Sequence, residues 1–282
     1  MNNQYTTGKV IIAGAGPGDP ELITMKAARY LREADVILTD RLVSDEILIQ
    51  YVQPYAKVIH VGKQCGRGIS TPQETINELL VQYAKAGNLV VRLKGGDVSI
   101  FSNIMDELEI LVTNNIPYEI VPGITASSGA AACAGIPLTA RNYATSVRFL
   151  TYYQSDIVAE EYWKELAETN DTLVFYMSSE TLPKVVEKLT ANNIDKSKLL
   201  AIIEQATTPF QKVHITGLYE FDNKFKGRSF ISPSLIIVGK VVALHERFAW
   251  LCNSGSSEYY FKPMPSQVIS INETDKLHKH VS

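Results

Sequence analysis

The chain has 282 residues, a length that suits two domains of about 140 residues each. Hydrophobic residues make up 45% and charged residues 20%, a balance typical of globular proteins that excludes extensive disorder. With 27 basic and 30 acidic residues, the net charge of −3 gives no bulk attraction for nucleic acid.

The cysteines, Cys65, Cys133 and Cys252, are odd in number and form no CxxC pair. Neither a disulfide framework nor a zinc site is therefore predicted, and we expect no metal. No run of about 18 apolar residues predicts a membrane span, and the first residues lack the pattern of a signal peptide. These features favour a soluble, reduced, cytoplasmic protein without a membrane partner.

In the first half of the chain, short β-branched runs alternate with amphipathic segments. The predicted strands are residues 9–13, 36–39, 58–61, 88–93 and 118–121, and the predicted helices are 22–34, 71 to about 86, and 100–114. Thr71-Pro72-Gln73-Glu74 has the pattern of a capping box with proline at the first helical position. Because the strands are continuously apolar, they predict a parallel sheet covered by helices on both faces.

The second half repeats this alternation less regularly and predicts a mixed sheet. Its predicted strands are 147–152, 172–176, 199–204, 212–216 and 234–238, with a hairpin-like element around the polar loop 220–229. Residues 253–282 lose periodicity and are predicted to be a mostly mobile tail, although Tyr259-Tyr260-Phe261 could dock on the body. The predicted organisation is an N-terminal α/β domain (1–121), a C-terminal α/β domain (122–252) and the tail.

Small and charged residues follow each of the five strands predicted in the first half. The segments are Gly14 to Pro20 (GAGPGDP), Asp40-Arg41, Gly62-Lys63, Arg92 to Asp97 (RLKGGD) and Pro122 to Ala126 (PGITA). The first is neither a dinucleotide fingerprint, because Pro17 and Pro20 oppose an immediate helix start, nor a Walker loop. Taken alone, it fits a tight turn as well as a ligand loop, and Asp40 with Arg41 fits a surface ion pair. Together the five strand ends favour a ligand cleft along the sheet edge.

Several segments, in this order, resemble the uroporphyrinogen-III C-methyltransferase family of tetrapyrrole methylases, also called class III methyltransferases. They are GAGPGDPELIT, ADVILTDRLVS, HVGK, RLKGGD, YEIVPGITASSGAAACAGIPLT and ATSVRF. The resemblance runs from about residue 8 to 251 and continues through TLVFYM and SLIIVGKVVAL. The long PGITA…GIPLT block is the most specific part of it.

The resemblance implies two α/β domains with a ligand cleft between them, the donor S-adenosylmethionine with S-adenosylhomocysteine as its product, and a homodimer. It assigns the proton acceptor to Asp40 and the proton donor to Lys63. The implied donor contacts are Pro17, Gly95, Gly96, Asp97, Ile100, Thr125, Ala126, Met177 and Ala206.

The implied reaction methylates uroporphyrinogen III at C2 and C7 to give precorrin-2, a step of the sirohaem and cobalamin pathways. This tetrapyrrole substrate carries eight carboxylates, so a locally basic cleft is expected. Arginine pairs with carboxylate through a planar fork, and Arg41, Arg141 and Arg148 are the preferred substrate contacts. For Arg148, a surface position at a strand edge fits equally well.

The chain also departs from the family pattern near the expected substrate side. Residues 98–107 read VSIFSNIMDE where the family usually has Pro-Phe and an Arg-bearing, glycine-rich stretch, and they predict an ordinary helix start. Ala140 and Asn142 stand where the family commonly has His and Asp, Tyr152-Tyr153 replace its usual Gly-His, and Ala206 replaces its usual Gly. The alternatives are a C-methyltransferase for a later corrin precursor, or a non-catalytic relative that binds tetrapyrrole or S-adenosylmethionine. An RNA methyltransferase of the same fold is disfavoured by the charge.

Overall fold

The computed structural model describes residues 7–62, 71–153, 155–156 and 158–261. The chain separates into two compact units that divide between Ile124 and Thr125, and Phe261 returns to the first unit. The division lies three residues after the predicted boundary at 121/122. Lys63 and most of the predicted tail, residues 262–282, lie outside the described residues. No described helix is long and apolar enough to cross a membrane.

The first unit contains a five-stranded parallel sheet with the order β3-β2-β4-β1-β5, which confirms the predicted parallel arrangement. Its strands are β1 (Lys9–Gly14), β2 (Val36–Thr39), β3 (Lys57–His60), β4 (Leu89–Lys94) and β5 (Tyr118–Val121). Its helices are α1 (Met25–Glu33), α2 (Asp45–Tyr51), α3 (Gln73–Lys85) and α4 (Met105–Thr113).

Helices cover both faces of this sheet, because its strands bury side chains on both sides. Val10 and Ile12 of β1 pack into one apolar cluster, which also holds Leu80 of α3. Ile11 of β1 packs into a second cluster with Leu31 of α1. This explains why the strands are continuously apolar rather than alternating.

Two local predictions in the first unit are wrong, each for a different physical reason. The capping box does not form: α3 begins at Gln73 without a side-chain cap, and the Thr71 hydroxyl instead accepts a bond from the Gly62 N–H at 3.4 Å. The helix predicted from residue 100 begins at Met105, because Phe101 (φ 52°) and Asn103 (φ 50°) have left-handed backbones.

The second unit contains a mixed five-stranded sheet with the order β6-β7-β10-β8-β9, which confirms the predicted fold class. Its strands are β6 (Val147–Thr151), β7 (Thr172–Tyr176), β8 (Leu199–Glu204), β9 (Lys212–Gly217) and β10 (Ser234–Gly239). Its helices are α5 (Ala126–Ala134), α6 (Glu160–Glu168), α7 (Leu182–Ala191), α8 (Phe221–Phe225) and α9 (His245–Phe248).

The hairpin of the second sheet lies elsewhere than predicted. β8 and β9 form it, whereas β10 is inserted between β7 and β8 and is antiparallel to both. The segment predicted as the polar loop 220–229 contains α8, whose Phe221 and Phe225 are buried. These two phenylalanines anchor the segment in the core of the second unit.

Candidate functional site

The loops that follow β1 and β4 are joined by their glycine backbones. The Gly16 N–H donates to the Gly96 carbonyl at 3.1 Å, and the Gly96 N–H donates to the Gly16 carbonyl at 2.7 Å. Both residues have left-handed backbones, with φ of 81° and 71°, which glycine adopts without steric cost. The two loops thus form one layer at the carboxyl edge of the first sheet, where parallel sheets bind ligands.

The loop after β5 packs against the same layer without room for a side chain. A Cβ atom on Gly123 would lie 2.3 Å from the Gly96 carbonyl oxygen and 2.9 Å from the Gly14 Cα. Three of the five strand ends that the sequence singled out, those after β1, β4 and β5, therefore meet through backbone contacts. Pro17, another predicted donor contact, is half-buried in the first of these loops.

Asp97 ties the loop after β4 to the loop after β5. One carboxylate oxygen accepts from the Gly123 N–H at 2.8 Å, and the other accepts from the Ser99 N–H at 2.9 Å and from the Ser99 hydroxyl. Burial raises the pKa of Asp97, but these hydrogen bonds outweigh burial and lower the pKa below its usual value. The Asp97 carboxylate is thus ionised and holds the two loops together. Ile100, another predicted donor contact, is half-buried in the loop that follows.

Asp40, the predicted proton acceptor, is half-buried directly after β2. Its Oδ1 accepts from the Leu42 N–H at 3.0 Å, and its Oδ2 accepts from the Gly95 N–H at 3.4 Å. Asp40 is therefore placed beside a predicted donor contact. The neighbouring Arg41 is also half-buried rather than fully exposed.

A buried charged triad, which the sequence reading did not single out, lies behind Asp40. Glu107 of α4 accepts from Arg92 Nε at 2.9 Å and from Lys94 Nζ at 3.3 Å, and all three residues are buried. Arg92 also donates to the Leu38 carbonyl of β2 at 3.3 Å. Burial, together with the charge of Arg92, lowers the pKa of Lys94 against the opposing pull of Glu107 and Asp40. The sequence signal that could have revealed this triad is Arg92 and Lys94, two cationic residues two positions apart in an otherwise apolar strand.

In the second unit, the predicted donor contacts Thr125 and Ala126 mark the start of α5. Tyr176 at the end of β7 fixes this start, because its hydroxyl lies 2.7 Å from Thr125 Oγ1 and accepts from the Ser127 N–H at 3.1 Å. Tyr176 is a positioning residue that the sequence reading did not predict.

The tyrosine pair that replaces the family's usual Gly-His divides between core and surface. Tyr152 is buried and its ring meets Trp163 edge-on, with centroids 5.1 Å apart. The Tyr153 hydroxyl donates to the sulfur of Met177 at 3.2 Å. Met177 has a left-handed backbone (φ 51°) and is 51% exposed, so this predicted donor contact presents its side chain outward.

The loop after β8 explains how Ala206 replaces the glycine usual in the family. The left-handed conformations fall on its neighbours, Gln205 (φ 47°) and Thr207 (φ 66°), and not on Ala206 itself. The additional methyl group therefore causes no strain of the kind that would require glycine.

The two predicted arginines of the second unit, Arg141 and Arg148, lie in different environments. Arg141 is exposed in the turn between Ala140 and Ala144. Arg148, in the edge strand β6, pairs with Asp171 through Nε and with Glu165 through Nη1, each at 2.5 Å. Because two carboxylates already engage its guanidinium, the geometry favours the strand-edge interpretation of Arg148.

Comparison with known proteins decides the family. A sequence model of the tetrapyrrole (corrin/porphyrin) methylases matches residues 9–222. The chain belongs to the tetrapyrrole methylases. It is 44% identical to a siroheme synthase from Vesicomyosocius okutanii over 89% of its own length and 54% of that protein. It is 47% identical to siroheme synthase 2 from Aeromonas hydrophila over 86% and 51% of the two chains. The chain thus spans about half the length of these relatives.

Solved structures of this family share the fold. A uroporphyrin-III C-methyltransferase from Thermus thermophilus is 32% identical, with a TM-score of 0.71 over 86% of this chain and 97% of that one. Its complex with S-adenosyl homocysteine gives a TM-score of 0.68 over 83% and 93%. A cobalt precorrin-4 methyltransferase of cobalamin biosynthesis is 26% identical, with a TM-score of 0.74 over 86% and 99%.

Proposed function

We propose that this tetrapyrrole methylase transfers methyl groups from S-adenosylmethionine to C2 and C7 of uroporphyrinogen III, giving precorrin-2. The observation that carries the proposal is the hydrogen bond from the Gly95 N–H to the carboxylate of Asp40. In our proposal this bond supports a base at Asp40 next to Gly95, which the family resemblance assigns to donor binding. The 32% identity to a uroporphyrin-III C-methyltransferase supports this choice of acceptor.

The layer that the loops after β1, β4 and β5 form through their glycine backbones fits S-adenosylmethionine as the donor. Backbones at Gly16, Gly96 and Gly123 approach so closely that no side chain projects among them. Backbone polar groups at such a surface can bind a nucleoside and an amino-acid group without competing side chains. When bound, S-adenosylmethionine supplies the activated methyl group. In our proposal the donor contacts are the nine residues carried over from the family.

The protein's own chemical contribution is placement and proton removal. An electron-rich pyrrole carbon needs in-line placement and the exclusion of water more than activation. The methylated pyrrole is cationic and must lose a proton, which in our proposal Asp40 accepts. Lys63 is the proposed proton donor. Arg41 and Arg141 are the proposed partners for substrate carboxylates. Arg148 is not included, because Glu165 and Asp171 already pair with its guanidinium.

The relatives, of which this chain matches about half the length, are named siroheme synthases, and only the methylation step is proposed for this chain. We further propose that it acts in the cytoplasm as a homodimer. A second candidate acceptor is a later corrin precursor, because the cobalt precorrin-4 methyltransferase shares the fold over 86% of the chain.

Incubation with S-adenosylmethionine and uroporphyrinogen III, followed by mass measurement of the tetrapyrrole, tests the proposal. We expect products heavier by one and then two methyl groups. A parallel incubation with later corrin precursors tests the second candidate acceptor. Binding of S-adenosylhomocysteine by calorimetry without methylation of any acceptor would instead identify a non-catalytic relative.

A further inference from the structure

The loop that carries Ala206 has a conformation that its own sequence does not favour. We call residues 205–208 the donor loop. Gln205 and Thr207 have left-handed backbones, and neither is glycine. Such conformations persist only where the surrounding structure holds them. Gln205 is 1% exposed, so its side-chain amide must find its hydrogen-bond partners inside the protein.

Those partners lie in a segment that follows the last helix. We call residues 253–260 the C-terminal strap. Gln205 Nε2 donates to the Glu258 carbonyl at 3.0 Å, and Gln205 Oε1 accepts from the Tyr260 N–H at 2.7 Å. The Gln205 amide thus pairs with the strap backbone from both of its ends. The strap side chains are not needed for either bond.

The other end of the strap is fixed to the edge strand β9. Asn253 Oδ1 accepts from the Val213 N–H at 2.7 Å, and Asn253 Nδ2 donates to the Val213 carbonyl at 3.0 Å. The Ser254 N–H donates to the Gln211 carbonyl at 2.9 Å. Gln211 in turn accepts from the Thr207 N–H through Oε1 at 2.8 Å. Both ends of the strap are therefore connected to the donor loop.

We infer that the C-terminal strap holds the donor loop in its binding conformation, and that Gln205 is the positioning residue that links them. This inference rests on the proposed function, because it takes Ala206 as a donor contact. It differs from the sequence expectation of a mostly mobile tail, since the first eight residues of that tail hold the donor loop through backbone and Asn253 contacts. The strap contributes by pre-organisation, because a loop already ordered loses less entropy when it binds.

Two changes remove the link in different ways. Gln205→Leu replaces the amide by an apolar side chain one bond shorter and removes both bonds, and Tyr260→Pro removes the N–H that donates to Gln205. We expect each variant to bind S-adenosylhomocysteine about tenfold more weakly by calorimetry, the effect of losing one or two buried hydrogen bonds. The KM for S-adenosylmethionine should rise while kcat at saturating donor stays unchanged. In hydrogen exchange, the Thr207 amide should lose protection.

Matched controls separate positioning from general stability. Tyr260→Ala keeps the N–H and removes the phenol ring, whose centroid lies 6.0 Å from that of Phe210. It should therefore weaken binding less than Tyr260→Pro. Glu258→Gln changes an exposed side chain and keeps the carbonyl, so it should bind as the wild type does. If Gln205→Leu does not fold, the two Tyr260 variants decide.

Two results would overturn the inference alone: unchanged donor affinity in the folded link variants, or equal losses in Tyr260→Ala and Tyr260→Pro. A wild-type chain that binds no S-adenosylhomocysteine at all would overturn the proposed function together with the inference. The two failures are therefore distinguishable by the behaviour of the wild type.

Discussion

Gly16 and Gly96 exchange two backbone hydrogen bonds, at 3.1 and 2.7 Å, although 80 positions separate them in the chain. This pair makes one surface out of the loops after β1 and β4. Neighbouring strands of a parallel sheet end at the same edge, so the pairing follows directly from the order β4-β1-β5. It holds the two loops in a fixed relative position.

Gly123 should be intolerant of even one methyl group. The Cβ in Gly123→Ala would lie 2.3 Å from the Gly96 carbonyl oxygen, and a backbone atom cannot move aside as a flexible side chain can. We expect a loss of unfolding free energy of about 2–3 kcal/mol, together with weaker binding of S-adenosylhomocysteine. Urea denaturation and calorimetry measure the two effects.

Gly217→Ala is the matched control, because its Cβ would meet only atoms at 3.6 Å or more. Its stability should change by less than about 1 kcal/mol. Equal behaviour of the two variants would show that crowding at the loop junction is unimportant.

Glu107 should be essential for stability, because it is the buried carboxylate that Arg92 and Lys94 share. Glu107→Gln keeps the shape but removes the carboxylate charge that the two buried cations share. We expect a loss of about 3–5 kcal/mol in unfolding free energy. The exposed pair Lys184–Glu187 provides the control, since Glu187→Gln should cost at most about 1 kcal/mol. A loss in Glu107→Gln as small as the control's would contradict the structural role of the triad.

Glu119 should stabilise the first unit in a pH-dependent manner. Hydrogen bonds from Lys26, Lys9 and Tyr30 lower the pKa of Glu119 from 4.5 to about 2. Because the folded-state pKa is depressed, the contribution is complete above the unfolded value and is lost as the pH falls from 4.5 towards 2. The difference in melting temperature between wild type and Glu119→Gln should therefore shrink over this range. A difference that stays constant from pH 7 to pH 2 would refute this coupling.

The strands were predictable because burial on both faces leaves a continuous apolar run that few other structures produce. The start of α4 was not, because residues 98–104 contain no proline or glycine to mark the left-handed turns at Phe101 and Asn103. The Thr71 capping pattern was misleading because a hydroxyl near a helix start can instead accept a hydrogen bond from a distant backbone group. Here it accepts from the Gly62 N–H.

The residues of the candidate site also differ in how well the sequence predicts them. Residues that act through backbone position, such as Gly95 and Gly96, leave a recognisable motif at a strand end. Residues that hold those loops in place do not, because their partners are distant in sequence: Tyr176 is 51 residues from Thr125, and Gln205 is 55 residues from Tyr260. Only the folded chain brings these partners together.

Light scattering tests the proposed homodimer. We expect a mass of twice the 31.3 kDa of the chain at micromolar concentration. A mass of one chain under these conditions would refute the dimer and leave the proposed methylation to be judged by the activity assay.

Asp40→Asn tests the proposed base most directly. Asparagine has the same shape, and its side-chain oxygen can still accept from the Leu42 N–H or the Gly95 N–H, so the loop should keep its conformation. Loss of a general base typically lowers the rate by about 10²–10⁴-fold. Binding of S-adenosylmethionine should barely change, because the proposed donor contacts are other residues.

Single-turnover methylation and donor affinity, measured on the same Asp40→Asn preparation, distinguish catalysis from architecture. If the carboxylate only braces the loop, the amide oxygen keeps at least one of its two hydrogen bonds. Stability should then fall by no more than about 1 kcal/mol, and the methylation rate at saturating donor should persist. If the carboxylate accepts the proton, the rate should fall while affinity and stability persist. The two outcomes differ because an amide oxygen can replace a hydrogen-bond acceptor, whereas an amide cannot replace a base. A normal single-turnover rate would return Asp40 to a structural role beside Gly95.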